Sequence, residues 1–161
     1  METFSLADIK KKNFSDVYHY IYHNPGCSRQ SIATSLCMSL PTVTQHLASL
    51  LNGGLIETCG QLTSTVGRRA TAYRAVACAK IAIGIEILAK KIYIVALNLY
   101  GKKEQKEKIK LAFAPNEEYF ESLRDVVVDF WERHHYKEEQ ILGIGLGIQG
   151  LATGDGDRIT Y

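Results

Sequence analysis

The sequence predicts a mixed α+β or α/β protein with a winged helix-turn-helix in its N-terminal half and a β-rich segment after it. Within residues 28–54, two short amphipathic helical patterns are joined by a tight turn. Two short strand patterns follow around a loop rich in Gly, Ser and Thr. From residue 81 onwards, apolar residues occur in short runs that are typical of strands.

The first predicted helix spans residues 14–23, where apolar residues recur at helical spacing. The turn-forming residues Asn24, Pro25 and Gly26 end it. Residues 10–12 are three consecutive lysines. The sequence leaves open whether these lysines belong to a flexible basic arm or to the solvated start of a helix.

Two further helices are predicted over residues 28–36 and 40–52, and each has its own start signal. Ser28 and Ser39 are suited to be N-caps, because a serine hydroxyl accepts a hydrogen bond from a free amide of the first turn. Pro41 lies just inside the second of these helices, where a missing N–H has little cost. The pair is therefore predicted to be a helix-turn-helix, with residues 40–52 as the recognition helix.

The predicted recognition helix has one apolar side and one uncharged polar side. The apolar stripe consists of Val43, Leu47, Leu50 and Leu51. The polar side carries Thr42, Gln45 and Ser49. A solvent-facing helix more often carries Lys and Glu pairs, whereas this helix has no charged residue and no acid to oppose a phosphate. The alternative is an uncharged helix that packs on another domain.

A wing is predicted directly after the recognition helix. Strand patterns over residues 55–58 and 70–75 flank a loop over residues 60–67, as in a β-hairpin. Arg68 and Arg69 then lie at the base or side of the wing, where they would contact phosphates or a minor groove. The alternative makes them ordinary surface or interdomain arginines.

The charge distribution weakly favours a nucleic-acid partner for the N-terminal half. Residues 1–80 hold eight Lys and Arg residues against four acids, whereas acids outnumber bases in the rest. The four cysteines, which lack paired spacing, predict reduced thiols and neither a zinc site nor disulfides. No signal peptide or membrane-length apolar run is present in the sequence, so we expect a cytoplasmic protein without membrane association.

The second half predicts three strands, one helix and a fourth strand. The ranges are 81–88, 92–99, 106–111, 116–136 and 140–148. Turns are expected at Lys90-Lys91 and Tyr100-Gly101. The buried stripe of the helix is predicted to be Tyr119, Phe120, Leu123, Val126, Val127 and Phe130. The last strand is apolar enough to be interior, and the alternation of Gly143, Gly145 and Gly147 in it predicts close packing within the sheet.

The segment GGLI at residues 53–56 and the later run VGRRATAYR resemble the N-terminal region of ROK-family transcriptional regulators. In that family, a winged helix with a Gly-Arg-Arg motif precedes a sugar-kinase-like domain. Gly67, Arg68 and Arg69 match this motif, with Ala70 where the family usually has proline. The resemblance implies a winged helix-turn-helix DNA-binding domain over residues 1–77. It also implies the N-terminal portion of an actin-like (ribonuclease H-like) ATPase or ROK domain over residues 78–161.

The resemblance also assigns functional residues. Thr42, Thr44 and Gln45 correspond to base- or backbone-contacting positions of the recognition helix. The full predicted DNA-binding set is Ser39, Thr42, Thr44, Gln45, His46, Ser49, Arg68 and Arg69. No catalytic residue, cofactor site or metal site is predicted.

The sugar-kinase part of the resemblance is incomplete. The family's Asp-x-Gly-x-Thr phosphate loop is replaced by Ile85-Glu86-Ile87-Leu88-Ala89-Lys90, which has neither the glycine nor the threonine. The later GIGLGIQG run has Gln149 where the family has proline. The family's catalytic aspartate, sugar-contacting residues and zinc motif correspond to positions beyond Tyr161. We therefore expect a fragment of a longer regulator that is not an enzyme.

The predicted function is a DNA-binding transcriptional regulator. The resemblance implies a repressor of sugar-metabolism genes that binds double-stranded DNA as a homodimer or higher homo-oligomer. It also implies a sugar or sugar-phosphate effector bound by the full-length protein. The alternatives are a sugar kinase with an added N-terminal module and a winged helix that binds protein. An intact phosphate loop would favour the first alternative, and a missing salt-dependent DNA affinity would favour the second.

Overall fold

The computed structural model describes residues 5–62, 70–152 and 159–160 of the 161-residue chain. The chain divides into two compact units, Met1–Val76 and Ala77–Tyr161, which we call the N-terminal and C-terminal units. Each unit has its own hydrophobic core. Among the described residues, no helix is both long enough and apolar enough to cross a bilayer.

Three helices build most of the N-terminal unit. They are α1 (Leu6–His23), α2 (Arg29–Ser35) and α3 (Leu40–Asn52). Ser28 and Ser39 are the N-caps of α2 and α3, as the sequence predicted. The range predicted for α3 is also confirmed.

The first helix begins well before the predicted residue 14. The Ser5 hydroxyl accepts a hydrogen bond from the Asp8 amide, and the Asp8 carboxylate accepts one from the Ser5 amide at 3.0 Å. This capping box starts the helix well before its buried residues Val17 and Ile21, so the prediction from the apolar stripe began too late. The three lysines at residues 10–12 are therefore part of a helix and not of a flexible arm.

The core of the N-terminal unit lies where the three helices meet the first residue of the wing. Its buried residues are Val17, Ile21, Ile32, Ala33, Val43, Leu47, Leu50 and Ile56. Leu51, which was predicted to share the apolar stripe of α3, is 37% exposed. Burial of this core holds α3 against α1 and α2, because apolar burial contributes about 25 cal/mol per Å².

The wing strands are β2 (Ile56–Leu62) and β3 (Ala70–Ala75), which pair antiparallel. The range predicted for β3 is confirmed, whereas β2 extends beyond the predicted residue 58. A further strand, β1 (Cys27–Ser28), was not predicted because it is too short for a periodic pattern. It pairs with the edge of β3 that faces away from β2. Gly60 adopts a φ of +125° next to a register shift in β2, a conformation that favours glycine.

The C-terminal unit has a four-stranded sheet with one helix on it. The elements are β4 (Ile81–Leu88), β5 (Lys91–Asn98), β6 (Lys103–Ile109), α4 (Glu117–Arg133), a short 3₁₀-helix (Glu138–Gln140) and β7 (Ile141–Ile148), followed by β8 (Leu151–Ala152) and β9 (Ile159–Thr160). The sheet order is β6-β5-β4-β7, and only the β4–β7 pair in it is parallel. The predicted order of strand, strand, strand, helix and strand is confirmed.

The helix α4 covers one face of this sheet. The buried core consists of Ile81, Ile83, Ile85, Ile87, Ile92, Ile94, Ala96, Tyr119, Leu123, Val127 and Phe130. Phe120 was predicted to belong to this core but is 52% exposed. Its position follows directly after Tyr119 and therefore points about 100° away around the helix, off the buried stripe.

The predicted interior position of the last strand is wrong for the described residues. β7 lies at the edge of the sheet, and Leu142 and Leu146 are 61% and 64% exposed. The predicted close packing of its glycines is also wrong, since a Cβ placed on Gly143 or Gly145 would meet no described atom within 4 Å. A Cβ on Gly147 would lie 3.8 Å from the Ile85 carbonyl oxygen, which is an ordinary van der Waals distance. The cause is that the core cluster reaches only the two ends of β7.

Glu107 connects β6 to the C-terminal end of α4. Its carboxylate accepts hydrogen bonds from Arg133 Nη1 and Nη2 at 3.1 and 2.9 Å, and it lies 2.7 Å from His134 Nε2. Burial raises the pKa of Glu107, but the hydrogen bonds from His134 and Arg133 outweigh it and lower the pKa. The stability from this carboxylate is therefore present above the ordinary glutamate pKa of 4.5 and is lost as the pH falls through the lowered value.

We predict that Glu107→Gln lowers the unfolding free energy of the C-terminal unit by about 1–2 kcal/mol at neutral pH. The gap to the wild type should shrink as the pH falls below 4.5, because the wild-type carboxyl is then losing its charge. Trp131, the single tryptophan, lies on α4 and reports urea unfolding of this unit by fluorescence. Glu121→Gln, on the exposed side of α4, is the control. Equal stability of Glu107→Gln and the wild type at neutral pH would contradict this role of Glu107.

Candidate nucleic-acid interface

The first turn of α3 uses two of the predicted DNA-contacting hydroxyls for its own structure. The Ser39 hydroxyl accepts a hydrogen bond from the Thr42 amide at 3.3 Å. The two hydroxyls of Ser39 and Thr42 are also 2.8 Å apart. These contacts fix the start of the helix, as an N-cap does. Thr42 is partly buried, so its hydroxyl is less accessible than those further along α3.

Thr44 is engaged with an arginine that the sequence analysis did not single out. Its hydroxyl donates to the Leu40 carbonyl at 2.7 Å and accepts from Arg29 Nη1 at 3.2 Å. Both side chains are exposed. The contact directs the guanidinium of the first residue of α2 along one flank of α3. Thr44 therefore has the role of a positioning residue in this arrangement.

Gln45 has the most available polar side chain of the predicted set. It is exposed on α3, and its amide group makes no hydrogen bond with the residues that the structure describes. Ser49 lies one turn further along, and its hydroxyl donates to the Gln45 backbone carbonyl at 3.1 Å. The Gln45 amide keeps its two donors and its acceptor for an external partner.

The structure places His46 differently from the predicted DNA-binding set. The residue is only 4% exposed, and its ring contacts Phe14 of α1 edge to face at a centroid distance of 6.0 Å. Its spacing from Val43 and Leu50 puts it on the inner side of α3, a signal already present in the sequence. Burial, with a smaller effect of Lys10, lowers the pKa of His46 below 6.5. This side chain supports the recognition helix from beneath.

The two predicted wing arginines, Arg68 and Arg69, lie outside the described residues. The strands on either side of them are in place as β2 and β3. Across these strands, Arg74 Nε contacts a Glu57 carboxylate oxygen at 2.7 Å. Both side chains are about half exposed, so this pair stabilises the wing by roughly 0–1 kcal/mol.

A groove between α1 and α3 brings two unassigned lysines to the recognition helix. It is lined by Ala7, Lys10, Lys11, Phe14, Gln45, His46 and Ser49. Lys10 and Lys11 enter it from α1, and Gln45 and Ser49 enter it from α3. The run of lysines was visible in the sequence. Its place beside α3 was not, because that depends on how the helices pack.

In the C-terminal unit, a depression on the sheet is lined by Glu86, Tyr93, Lys103 and Lys106, among other residues. Glu86 is exposed on β4, and the hairpin turn after that strand is Ala89-Lys90, one residue earlier than predicted. No group of three or more His, Cys, Asp or Glu residues within the described ranges is placed to hold a metal ion.

The three helices, the short turn before α3 and the β2–β3 hairpin define the N-terminal unit as a winged helix-turn-helix DNA-binding domain. Residues 16–57 match the family model described as winged helix-turn-helix DNA-binding. The fold class predicted from the sequence is thereby confirmed for this unit.

Longer relatives show the same similarity. Over 153 residues, the chain is 26% identical to the DNA-binding transcriptional dual regulator NagC of Escherichia coli strain K12. It is equally similar to the N-acetylglucosamine repressor of Escherichia coli O157:H7. The alignment covers 95% of this chain but only 38% of each relative.

A solved structure extends the likeness over both units. It is the ROK family transcriptional regulator described as a homolog of the Escherichia coli MLC protein, with a TM-score of 0.62 and 17% identity. The match covers 91% of this chain and 37% of that chain, and at this identity it shows the fold alone. The resemblance to ROK-family regulators that the sequence predicted is confirmed by these similarities.

We predict that His46→Leu changes how the stability of the N-terminal unit depends on pH. The unfolded chain binds a proton on His46 more readily than the folded chain, so the wild type loses stability as the pH falls through 6.5. Leucine removes this loss. The melting temperature of the variant minus that of the wild type should therefore be larger at about pH 5.5 than at about pH 7.5.

Thermal unfolding followed by circular dichroism measures this difference. His19→Leu, at an exposed position of α1, is the matched control for the loss of one imidazole. If His46→Leu and His19→Leu respond to pH in the same way, the buried position of His46 is contradicted.

Proposed function

We propose that this chain is the DNA-binding portion of a transcriptional regulator that represses sugar-metabolism genes. The proposed domains are residues 1–77 for DNA binding and 78–161 for the first part of a sugar-kinase-like domain. Support comes from the winged helix-turn-helix match and from relatives named as transcriptional regulators, among them an N-acetylglucosamine repressor. The chain spans 38% of the length of these relatives, so the activity of the whole protein is part of the proposal.

The observation that carries the proposal is the free amide of Gln45 on an uncharged helix face. A glutamine can bind adenine in two hydrogen bonds, to N6 and N7 in the major groove. The major groove is about 12 Å wide and admits one α-helix. No charged residue on α3 competes with base contacts or repels phosphates. We assign base recognition to Gln45, with Ser49 beside it on the same face.

The other predicted residues take supporting roles in this proposal. Ser39 and Thr42 hold the start of α3, and Thr44 directs Arg29 towards the backbone of one DNA strand. His46 supports α3 from inside the unit. Arg68 and Arg69, which the resemblance to the ROK family assigns to the wing, would contact flanking phosphates or the adjacent minor groove.

The proposed mechanism uses two copies of the chain. A dimer would place two recognition helices in successive major grooves, about 34 Å apart along the duplex. The dimer would exist in two arrangements, and only one of them would have its recognition helices at this spacing. A sugar or sugar phosphate bound by the full-length protein would shift the population between the two arrangements. The protein would act in the cytoplasm, where the chromosomal DNA of its relatives lies.

We also propose that this chain does not act as a sugar kinase. A phosphate loop needs backbone amides that approach the phosphate closely, which glycine permits. Here the last four residues of β4, Ile85 to Leu88, and the turn residues Ala89 and Lys90 include no glycine. The relatives named above are regulators, which favours the same conclusion.

We predict that Gln45→Ala removes discrimination at one base pair of the binding site. The loss should be about 1–3 kcal/mol, because a bidentate amide–base contact contributes this much. A site is first selected with the 161-residue chain from a pool of random duplexes. Fluorescence anisotropy then measures the affinity of wild type and variant for this site and for each of its single-base changes.

Gln105→Ala is the matched control, since Gln105 is an exposed glutamine of the C-terminal unit. It should leave the whole base-preference profile unchanged. If no sequence is enriched from the pool by the folded wild type, DNA recognition by this chain is contradicted. If Gln45→Ala keeps the wild-type preference at every base pair, only the assignment of Gln45 fails.

A further inference from the structure

The position of Lys10 and Lys11 extends the proposed function to a second phosphate contact. The capping box at Ser5 and Asp8 places these lysines in the second turn of a regular helix. Both are exposed, and both line the groove that separates α1 from α3. The helix therefore carries both lysines beside the recognition helix.

The groove itself suits an anion. Its floor includes the ring of Phe14, with the buried His46 ring against it, and its α3 wall carries Gln45 and Ser49. None of its lining residues is acidic. The nearby Asp8 carboxylate is engaged with the Ser5 hydroxyl and amide, at 2.6 and 3.0 Å. The two lysines therefore keep their charge available to a ligand that enters the groove.

The recognition helix is flanked by positive charge on both sides. Arg29 lies on the Thr44 side of the exposed face, where it is bonded to that hydroxyl. Lys10 and Lys11 lie on the opposite side of the same face, next to Ser49. Between them, α3 is uncharged over its whole length. A helix in a major groove has one phosphate backbone on each side of it, and this charge layout matches that arrangement.

We propose that Lys10 and Lys11 bind a DNA backbone phosphate in the α1–α3 groove, on the strand opposite to the one that Arg29 contacts. This inference rests on the proposed function, because it requires α3 to enter a major groove. It adds α1 to the interface, so that the two strands of the duplex are held from two different helices. A phosphate contact on each side of α3 then fixes the position of the helix on the duplex, and with it the base that Gln45 contacts.

The test measures how the affinity for the selected duplex depends on salt. Each phosphate contact contributes about 0.9 to the slope of log affinity against log salt. The double variant Lys10→Gln/Lys11→Gln should reduce that slope by about 0.9, the contribution of one phosphate, while keeping the base preference of the wild type. Both residues are exposed, so circular dichroism of the variant should match that of the wild type.

Lys12→Gln is the matched control. It removes the same charge from the same helix, but Lys12 faces a separate depression that is lined by Asp8 and Asp16 as well as by Ser39 and Thr42 at the start of α3. The two carboxylates in it oppose a phosphate. Its slope should remain close to that of the wild type. If Lys12→Gln reduces the salt slope as much as Lys10→Gln or Lys11→Gln does, the proposal is overturned. The slope would then depend on the net charge of the helix and not on the position of the lysines.

A second measurement locates the phosphate. Single phosphates of the selected duplex are replaced one at a time by neutral methylphosphonates. Neutralising one phosphate on one strand should weaken binding by the wild type but not by Lys10→Gln/Lys11→Gln. Neutralising one phosphate on the other strand should weaken binding by the wild type but not by Arg29→Gln. The same position for both variants, or none for the lysine variant, overturns the inference. Absence of any DNA binding by the wild type overturns the proposed function together with it.

Discussion

The packing of the inner side of α3 is the constraint on which the DNA-binding unit depends. Val43, Leu47 and Leu50 are buried against α1 and α2, and His46 completes the same stripe. Because these positions recur every three or four residues, their burial fixes the rotation of the helix about its own axis. Gln45 faces outwards as a consequence, and so does the uncharged face around it.

The same packing explains which parts of the interface were predictable. The apolar period and the serine caps are local signals, and they gave the limits of α3 and the outward position of Gln45. The burial of His46 follows from its spacing, but its polar ring made it look like a surface residue. Arg29 and Lys10 could not be assigned from the sequence, because their neighbours on α3 are brought to them by tertiary packing.

In the C-terminal unit, the elements were predictable and their arrangement was less so. Burial alternates from one residue to the next along β4 and β5, because one face of each strand lies under α4. This alternation was predictable, since it follows from the strand assignment. The apolar sequence of β7 suggested an interior strand, but apolar composition does not say how many neighbours a strand has. Phe120 shows the same limit, because an aromatic residue beside a buried stripe need not belong to it.

The parallel pairing of β4 with β7 has a consequence for the order of folding. The strands β4, β5 and β6 meet their partners across short turns, whereas Ile83 of β4 pairs with Ile144, far along the chain. Closing a long loop costs more entropy and slows folding, so this pairing is expected to form after the hairpins. During synthesis, the N-terminal unit can complete its core from nearby residues while the edge of β4 still lacks its parallel neighbour. The N-terminal unit is therefore expected to fold before the C-terminal unit.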